Sequence, residues 1–465
     1  MYIYDSIQKT KCHFEPIRAN EASLYVCGPT VYDNAHLGHA RSSLAFDLLS
    51  RSLEAHGYRV TMAKNFTDID DKIIKKVEQT GQTMEEITDF YIDRYLKEMA
   101  LLGVKRATIE PKATQSLHAI EEMIQTLLDK DIAYLISSGD VYFDTSKDAS
   151  YGSISHRVSD EESQSRVAHT SQKRNPKDFA LWKACKGSED ICFDTAFSSG
   201  RPGWHIECSA MIEKHFEAKD GYSIDIHGGG ADLLFPHHEN EAAQSRCSTG
   251  HEVAKYWMHN GFVQIDGEKM SKSLGNSFFL KDALEIYDAE VLRYYLNSVH
   301  YRNDFNFSEV ELQTSKKRLD KLYRLKKRIS PTSASSANKV FKKALLDAMG
   351  DDLNISIALA KIDEMVALGN DGLDSNPKDK ALKKELYANI EMIDTLLGFG
   401  GREPFSYFQI GVDEQLKAQI ETLLEERNEA KKAKDFVRSD AIRDRLHTLG
   451  VAIMDTPNGT VWEKS

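Results

Sequence analysis

One segment near the amino terminus constrains the fold more than any other part of the chain. A short apolar run at Leu24–Val26 leads into a glycine-proline turn, and a helical pattern of apolar residues then extends over Gly38–Ala55. Gly57 stands where a glycine commonly follows a helix, and Arg59–Asn65 has the composition of a second strand. This β-α-β order predicts an α/β fold with a Rossmann-type parallel sheet, whose ligand crevice lies at the carboxyl ends of the strands.

Two short motifs indicate a nucleotide site. His36–His39 opens the predicted helix, where unpaired backbone N–H groups favour phosphate. Its two histidines can donate hydrogen bonds to phosphoryl oxygens, and Gly38 lets a nucleotide lie close to the backbone. Lys269–Ser273 places two lysines and two hydroxyl groups on a loop after a strand, which suits a triphosphate whose charge grows during reaction. The candidate catalytic residues are His36, His39, Lys269 and Lys272, and we expect Lys272 to contribute most to binding pyrophosphate.

Together the two motifs resemble the HIGH and KMSKS signatures of class I aminoacyl-tRNA synthetases, with Leu37 in place of the isoleucine. The cysteinyl-tRNA synthetase family is especially similar, and the segments that carry this resemblance are Tyr25–Asp33, Asn65–Lys72, Gly203–Met211, Asp225–Gly230 and Phe235–Glu241. The resemblance extends, more thinly, to the carboxyl end. It implies ATP-dependent attachment of L-cysteine to tRNA(Cys) through a cysteinyl-adenylate intermediate, with Mg²⁺ accompanying ATP.

The same resemblance implies one zinc ion per chain, since Cys27, Cys208, His237 and Glu241 match the family's zinc ligands residue by residue. By pattern alone the signal is weak. Only His237 and Glu241 share a helix face, and such a pair is more often solvated, while a single cysteine is more often a small core residue. His238 and Glu239 are the competing ligand candidates. Zinc prefers soft sulfur, so it would separate cysteine from serine without an editing domain.

Together with the resemblance, four further positions are expected to form the amino-acid pocket. Gly28 and Thr67 lie at strand ends next to Cys27 and would shape the pocket, Trp204 would form an apolar wall, and His227 would contact the bound cysteine. The alternatives are that Thr67 only caps the following segment and that Trp204 is a core residue. Gly228 and Gly229 resemble a phosphate-cradling loop, but the lysine and hydroxyl residue of a P-loop do not follow them. We assign these two glycines to the approach of adenosine or ribose.

The pattern along the chain predicts three parts. Residues 1–300 would form the catalytic domain, which an insertion at about 113–200 splits. Residues 301–400 would form a helical bundle that contacts the tRNA stem. Residues 401–465 would form a small α+β anticodon-binding domain. Ser315–Ser330 carries eight basic residues against one acidic residue, which favours either a solvated helix face or an RNA contact. Further candidate tRNA contacts are Arg427, Lys431, Lys432, Lys434, Arg438, Arg443 and Arg445.

The composition of the chain narrows the classes of protein to which it could belong. The net charge of −12 argues against a protein that coats nucleic acid indiscriminately, and we expect neither a secretory signal nor a membrane partner. Six cysteines in 465 residues predict a reducing compartment, with thiols or metal ligands rather than disulfides. We therefore expect a cytoplasmic monomer. Two alternative functions remain. The first is a ligase that joins cysteine to an amino-sugar in thiol biosynthesis, and the long basic tail argues against it. The second is a non-catalytic zinc-dependent RNA-binding protein, and the intact ATP motifs argue against it.

Overall fold

The structure, a computed structural model, describes residues 1–156, 172–187, 191–265, 268–269, 278–329, 336–456 and 459–464. The chain divides into two compact units, the first comprising Met1–Gln313 with Lys343–Ala360 and the second Thr314–Lys342 with Lys361–Ser465. Within the described ranges, no helix combines the length and apolar character needed to cross a membrane.

The first unit contains both strands and helices. Its strands are β1 (Tyr2–Asp5), β2 (Thr10–His13), β3 (Glu21–Val26), β4 (Arg59–Lys64), β5 (Ala133–Leu135), β6 (Val141–Phe143), β7 (Phe179–Ala184), β8 (Phe193–Asp194), β9 (Ser199–Pro202), β10 (Tyr222–Gly230), β11 (Glu252–Asn260), β12 (Val263–Ile265), β13 (Glu268–Lys269) and β14 (Phe305–Phe307). Its helices are α1 (Leu37–Ala55), α2 (Asp71–Thr80), α3 (Met84–Leu101), α4 (Leu117–Asp129), α5 (Trp204–His215), α6 (Glu239–Thr249), α7 (Leu280–Ile286) and α8 (Ala289–Leu296).

The remainder of the chain is mostly helical. Helices α9 (Glu309–Ile329), α10 (Lys339–Met349) and α11 (Ile355–Ser375) contribute residues to both units. The rest of the second unit consists of α12 (Lys380–Leu397), α13 (Pro404–Tyr407), α14 (Glu414–Lys432), α15 (Phe436–Thr448), β15 (Val451–Thr456) and β16 (Gly459–Lys464). β15 and β16 pair antiparallel and bury Trp462 against α14 and α15, so the carboxyl-terminal part contains both helices and strands.

Four parallel strands form the central sheet of the first unit, in the order β11-β10-β3-β4. Helix α1 joins β3 to β4 and buries Leu44, Leu49 and Leu53 completely. Each of these side chains contributes about 1.5–3 kcal/mol through removal from water. Gly57 follows the helix with a φ of 94°, which suits glycine. The predicted β-α-β unit and Rossmann-type fold are confirmed.

A buried ion pair fixes α1 to α8. Asp47 and Arg293 are each 1% exposed, and Arg293 donates to Asp47 at 2.5 Å. Arg51 also donates to Asp47, at 2.8 Å, and the backbone N–H of Lys105 donates to its second oxygen. Burial alone would raise the pKa of Asp47, but Arg293 and Arg51 outweigh burial and lower it.

The glycine loop predicted after β10 is wrong. Gly228 and Gly229 lie within the strand, where they pair with Met258 and His259 of β11. A Cβ atom on Gly228 would come within 2.2 Å of the Phe46 ring on α1. Close packing of α1 on the sheet therefore requires glycine at this position, independently of any nucleotide.

The insertion carries a sheet of its own, with the strand order β5-β6-β7-β9-β8. β5 and β6 form an antiparallel hairpin, and β7 pairs antiparallel with β6. Trp182 and Leu181 of β7 pack against Ile120 and Leu127 of α4 in a buried core. The sheet therefore has its own apolar support beside the central sheet.

Two cysteines of the insertion differ from expectation. Cys185 and Cys192 form a disulfide, so the prediction of thiols or metal ligands is wrong for these two residues. Cys12, Cys27, Cys208 and Cys247 are free.

Candidate active site

The first nucleotide motif forms the amino-terminal cap of α1. His36 Nδ1 accepts a hydrogen bond from the Gly38 N–H at 3.1 Å, and His39 Nδ1 accepts one from the His36 N–H at 3.2 Å. The two rings stack with their centroids 3.8 Å apart. Because Nδ1 is the acceptor in both neutral rings, the proton of each lies on Nε2. The cap thus orients two imidazole donors at a helix start that already favours phosphate.

Residues that flank the second motif lie against the first. The Leu37 N–H donates to the Phe278 carbonyl at 3.2 Å, and the Leu280 N–H donates to the Ala35 carbonyl at 2.8 Å. The backbone of Lys269 forms the end of the two-residue strand β13. Lys272 and the rest of the predicted lysine loop lie outside the described residues. The described flank of the lysine motif therefore pairs directly with the histidine motif.

Gly28 and Thr67 both lie at the carboxyl end of the sheet, at β3 and β4. The Gly28 N–H donates to Asn65 Oδ1 at 2.8 Å, and a Cβ atom on Gly28 would lie 1.6 Å from the Asn65 carbonyl oxygen. Thr67 is 2% exposed and its N–H donates to the Pro29 carbonyl. Asp70, not Thr67, caps α2, so the capping alternative for Thr67 does not hold. Asn65 has a positioning role here that sequence analysis missed.

The four predicted metal ligands meet at one point. Cys27 Sγ lies 3.9 Å from Cys208 Sγ, Cys208 Sγ lies 3.7 Å from His237 Nε2, and His237 Nε2 lies 2.8 Å from Glu241 Oε1. Two thiolates on a tetrahedral zinc with bonds of about 2.3 Å would be about 3.8 Å apart. Two sulfurs, an imidazole and a carboxylate are also a donor set that zinc accepts. The residues present therefore fit zinc.

A second group of possible ligands overlaps the first. Cys27, His227, His238 and Glu241 also lie close enough together to hold a metal ion. His238 Nε2 is 3.5 Å from Cys27 Sγ, and its Nδ1 is 2.8 Å from His259 Nε2. We favour the first group because it offers two sulfurs rather than one. Glu239, the other competing candidate, instead accepts hydrogen bonds from the backbone of Gly152 and Ser155.

The residues of the first group shift each other's pKa values. Burial alone would lower the pKa of His237, but Glu241 and Cys208 raise it to about 10. A hydrogen bond from Cys27 lowers the pKa of Cys208 to about 6. His227 is fully buried, stacks on Trp257 and shares a hydrogen bond of 2.7 Å with Glu241 Oε2. This outer contact orients the carboxylate, as partners of metal ligands commonly do.

The first turn of α5 lies beside the same group of metal-ligand candidates. Trp204 stacks on His237 with centroids 4.1 Å apart and is 38% exposed, so it is not a core residue. His205 Nδ1 lies 2.9 Å from His237 Nδ1. Glu207 is 1% exposed, and among the described residues neither of its carboxylate oxygens has a hydrogen-bond partner. Sequence analysis missed His205 and Glu207, because nothing in the local pattern separates them from ordinary helix residues.

Several candidate tRNA contacts are engaged within the second unit. On α9, Lys326 is 6% exposed and donates hydrogen bonds to three backbone carbonyls. Four other basic residues of α9 form ion pairs: Lys316 with Asp320, Arg318 with Asp363, Lys327 with Glu463 and Arg328 with Asp374. Arg427 is 1% exposed and binds Asp455 through both terminal nitrogens. Arg427 is therefore held within the protein and its contact with RNA stays a prediction, while these pairs favour a structural role for five of the eight basic residues on α9.

The Rossmann-type sheet and the histidine-capped helix at its carboxyl edge define the class I aminoacyl-tRNA synthetases. Residues 13–317 match the family described as tRNA synthetases class I (C) catalytic domain, and residues 413–462 match the cysteinyl-tRNA ligase anticodon binding domain. The chain belongs to the cysteine–tRNA ligase family.

Curated relatives agree over the full length. The cysteine–tRNA ligase of Sulfurovum sp. (strain NBC37-1) is 77% identical over 465 residues, and that of a Nitratiruptor species is 61% identical, each covering 100% of both chains. The cysteine–tRNA ligase of Helicobacter pylori (strain P12) is 55% identical, again over 100% of both chains.

Solved structures with lower identity share the fold. A methionyl-tRNA synthetase of Mycobacterium tuberculosis in complex with methionyl-adenylate aligns with a TM-score of 0.59 and 16% identity, over 81% of this chain and 92% of that chain. The LeuRS-tRNA-LeuAMS ternary complex from Agrobacterium radiobacter K84 aligns with a TM-score of 0.61 and 12% identity, over 84% and 86%.

Proposed function

We propose that the chain attaches L-cysteine to tRNA(Cys) with ATP, in two steps. The carboxylate of cysteine attacks the α-phosphorus of ATP, the bond to the β-phosphate breaks, and pyrophosphate leaves. A ribose hydroxyl of the terminal tRNA adenosine then attacks the carbonyl carbon of cysteinyl-adenylate, and AMP leaves. No side-chain nucleophile is needed, because the substrate supplies it. Catalysis consists of positioning and charge stabilisation.

The meeting of Cys27, Cys208, His237 and Glu241 at the carboxyl edge of the sheet is the observation that carries this proposal. Zinc bound there would favour the thiolate of cysteine over the hydroxyl of serine. The selectivity problem is otherwise severe, since an apolar pocket discriminates poorly between side chains of similar size. The curated relatives, all cysteine–tRNA ligases, support the same substrate.

The other assignments are carried over from the sequence motifs and the family resemblance. His36 and His39 would donate from Nε2 to phosphoryl oxygens, and Lys269 and Lys272 would hold the departing pyrophosphate together with Mg²⁺. Gly38 would admit the phosphates, and Gly228 and Gly229 the nucleoside. Gly28, Thr67, Trp204 and His227 would shape the amino-acid pocket. The second unit would bind the tRNA stem and anticodon, and the protein would act as a cytoplasmic monomer.

Two assays test the function and its rivals. Purified protein should catalyse cysteine-dependent exchange of pyrophosphate into ATP, with serine giving at most a small fraction of that rate, and should charge tRNA(Cys) with cysteine. Exchange without charging would indicate the amino-sugar ligase. RNA binding without exchange would indicate the non-catalytic alternative.

A further inference from the structure

Arg41 is a buried arginine on α1, just after the histidine motif, and it is 2% exposed. Burial lowers the pKa of its guanidinium to about 10, which leaves the group charged at neutral pH. Among the described residues no carboxylate pairs with it, although a buried charge normally requires such a partner. A charge retained in this way on the helix of the histidine motif requires an explanation.

Backbone carbonyls take the place of a carboxylate. Nη1 of Arg41 donates to the carbonyl of Leu296, the last residue of α8. Nη2 donates to the carbonyls of Val299 at 3.1 Å and His300 at 2.9 Å. The carbonyl end of a helix carries partial negative charge, and the planar guanidinium presents its N–H donors at fixed angles. Arg41 therefore fixes the segment by which the chain leaves α8.

This segment leads to strand β14, which Arg41 also contacts. The guanidinium lies over the Phe305 ring, with Cζ 5.1 Å from the ring centroid. β14 pairs in parallel with β12, and Phe305 lies opposite Val263. The Gly261 N–H, just before β12, donates to the Tyr301 carbonyl at 2.9 Å. A displacement of the segment that Arg41 holds would therefore displace β12 as well.

Strand β12 in turn fixes the start of the lysine motif. β13 follows β12 and pairs with it antiparallel, with Lys269 opposite Gln264. After the motif, the Phe278 carbonyl accepts a hydrogen bond from the Leu37 N–H at the start of α1. Both described flanks of the lysine motif are thus attached to α1, one by this backbone bond and the other through β14 and Arg41.

Attachment of α1 to α8 does not by itself require Arg41. Asp47 and Arg293 already join the two helices through a buried ion pair. Two of the carbonyls that Arg41 binds lie beyond the end of α8, on the path to β14. At 2% exposure the Arg41 side chain is also not accessible to a nucleotide. Any effect of Arg41 on the reaction must therefore be exerted through the elements that it holds.

We propose that Arg41 is a positioning residue for the formation of cysteinyl-adenylate. It holds β14, β12 and β13 at a fixed place relative to the start of α1, so that Lys269 reaches the phosphates bound by His36 and His39. The combined contribution of these three side chains is largest in the transition state, where charge grows on the departing pyrophosphate. This proposal rests on the proposed function, since it takes the reaction to be the activation of cysteine by ATP.

Replacement of Arg41 by methionine tests this role, because methionine is apolar and donates no hydrogen bond. In Arg41→Met we expect the kcat of cysteine-dependent pyrophosphate exchange to fall about 10- to 100-fold, since small displacements of catalytic groups are costly. The KM for cysteine and the zinc content should stay unchanged, because Arg41 contacts none of the four metal-ligand candidates. Every assay is run at a temperature at which circular dichroism shows the variant to be folded.

A double-mutant cycle shows whether Arg41 acts through the lysine motif. Lys269→Ala should lower kcat strongly in the unmodified protein but much less in the Arg41→Met background, because Lys269 is then already misplaced. Losses that simply multiply in the double variant would overturn the proposal and indicate a purely structural role for Arg41.

Asp47→Asn is the matched control for stability, because it weakens the contact between α1 and α8 without removing a donor to the carbonyls that Arg41 binds. It should lower the free energy of unfolding and leave the kcat of the folded protein unchanged. An equal fall of kcat in Asp47→Asn would overturn the proposal, since general loosening of α1 would then explain the effect.

A second variant keeps the proposal testable if Arg41→Met does not fold. Arg41→Lys retains the charge but not the planar group that reaches several carbonyls at once, so it must also lower kcat without raising the KM for cysteine. An unchanged kcat in Arg41→Lys would then overturn the proposal. Absence of cysteine-dependent exchange in the unmodified protein would instead refute the proposed function.

Discussion

Cys27 Sγ lies 3.9 Å from Cys208 Sγ, although 181 residues separate the two positions along the chain. Cys27 follows β3 at the carboxyl edge of the central sheet, and Cys208 projects from α5 after the insertion. Helix α5 must therefore pack on the sheet before the ligand group exists. Zinc binding and the folding of this unit should be linked, because the ion would bind the folded chain better than the unfolded one.

Replacement of Cys27 by alanine should reduce zinc content and cysteine affinity together. One of two sulfurs is lost, so zinc should fall well below one ion per chain in metal analysis after dialysis. The KM for cysteine should rise by at least about 10-fold, while the KM for ATP changes little. Cys12→Ala is the matched control, since Cys12 is free and outside the ligand group. Full zinc content in Cys27→Ala would remove Cys27 from the set of ligands.

His227 should influence zinc through Glu241. Because its ring bonds to Glu241 Oε2 at 2.7 Å, His227→Ala should leave the carboxylate poorly oriented and lower zinc affinity by about 10- to 100-fold. Competition with a chelator measures this affinity. His118→Ala, at an exposed position on α4, should have no effect. Normal zinc affinity combined with a raised KM for cysteine would instead support direct contact of His227 with the substrate, as the sequence predicts.

Gly228 should tolerate no side chain. Alanine there would place Cβ within 2.2 Å of the Phe46 ring, and strand pairing with β11 prevents the backbone from moving away. We expect Gly228→Ala to lose at least about 1–3 kcal/mol of unfolding free energy. Gly187→Ala, with no atom within 4 Å of the added Cβ, should be neutral. Phe46→Leu in the Gly228→Ala background should recover part of the loss, and urea unfolding measures all four proteins.

The sequence predicts the β-α-β unit well because local signals suffice there. The apolar run of β3, the apolar period of α1 and the glycine after α1 are properties of neighbouring residues, and the predicted elements are present in the structure. Gly228 shows where this reasoning fails, because the same glycines suit a phosphate loop or a strand packed against Phe46. Only the tertiary position of α1 separates these possibilities.

The candidate site was predicted unevenly for a similar reason. The four ligand candidates come from a family resemblance, and their convergence cannot be derived from spacing, since Cys27 and Cys208 are far apart in the chain. Glu207 carries no signal in its local pattern, because a glutamate on a helix is ordinarily solvated. Its burial without a hydrogen-bond donor among the described residues becomes visible only in the tertiary structure.

The Asp47–Arg293 pair should make the stability of the first unit depend on acid. The pKa of Asp47 is lowered in the folded protein, whereas an unfolded aspartate titrates near about 3.9. Its contribution is therefore fully present above about pH 4 to 5 and is lost as the pH falls through the lower folded value. Arg51, Arg293 and the Lys105 N–H are the groups that face it.

Asp47→Asn tests this relation directly. The variant should lose about 3–5 kcal/mol of unfolding free energy near neutral pH, because Arg293 is left buried without its carboxylate. The difference from the unmodified protein should shrink below about pH 4 in urea unfolding. Asp93→Asn removes an exposed pair with Lys97 and should change stability by less than about 1 kcal/mol. A difference that stays constant down to the lowest pH would contradict the assignment.

Arg427 should support the carboxyl-terminal fold and not tRNA directly. Its guanidinium is 1% exposed and binds both oxygens of Asp455, at 2.8 and 3.0 Å, while Lys431 adds a contact of 2.6 Å. We expect Arg427→Met to lower the melting temperature of the second unit and to reduce charging of tRNA(Cys). Cysteine-dependent pyrophosphate exchange should be unchanged, since the groups assigned to activation belong to the first unit.

Arg438→Met serves as the comparison, because the Arg438 side chain is 55% exposed. This variant should leave the melting temperature unchanged, and any effect on charging should come from the KM for tRNA. An Arg427→Met protein that melts normally but has a raised KM for tRNA would show that this arginine leaves Asp455 to bind the nucleic acid.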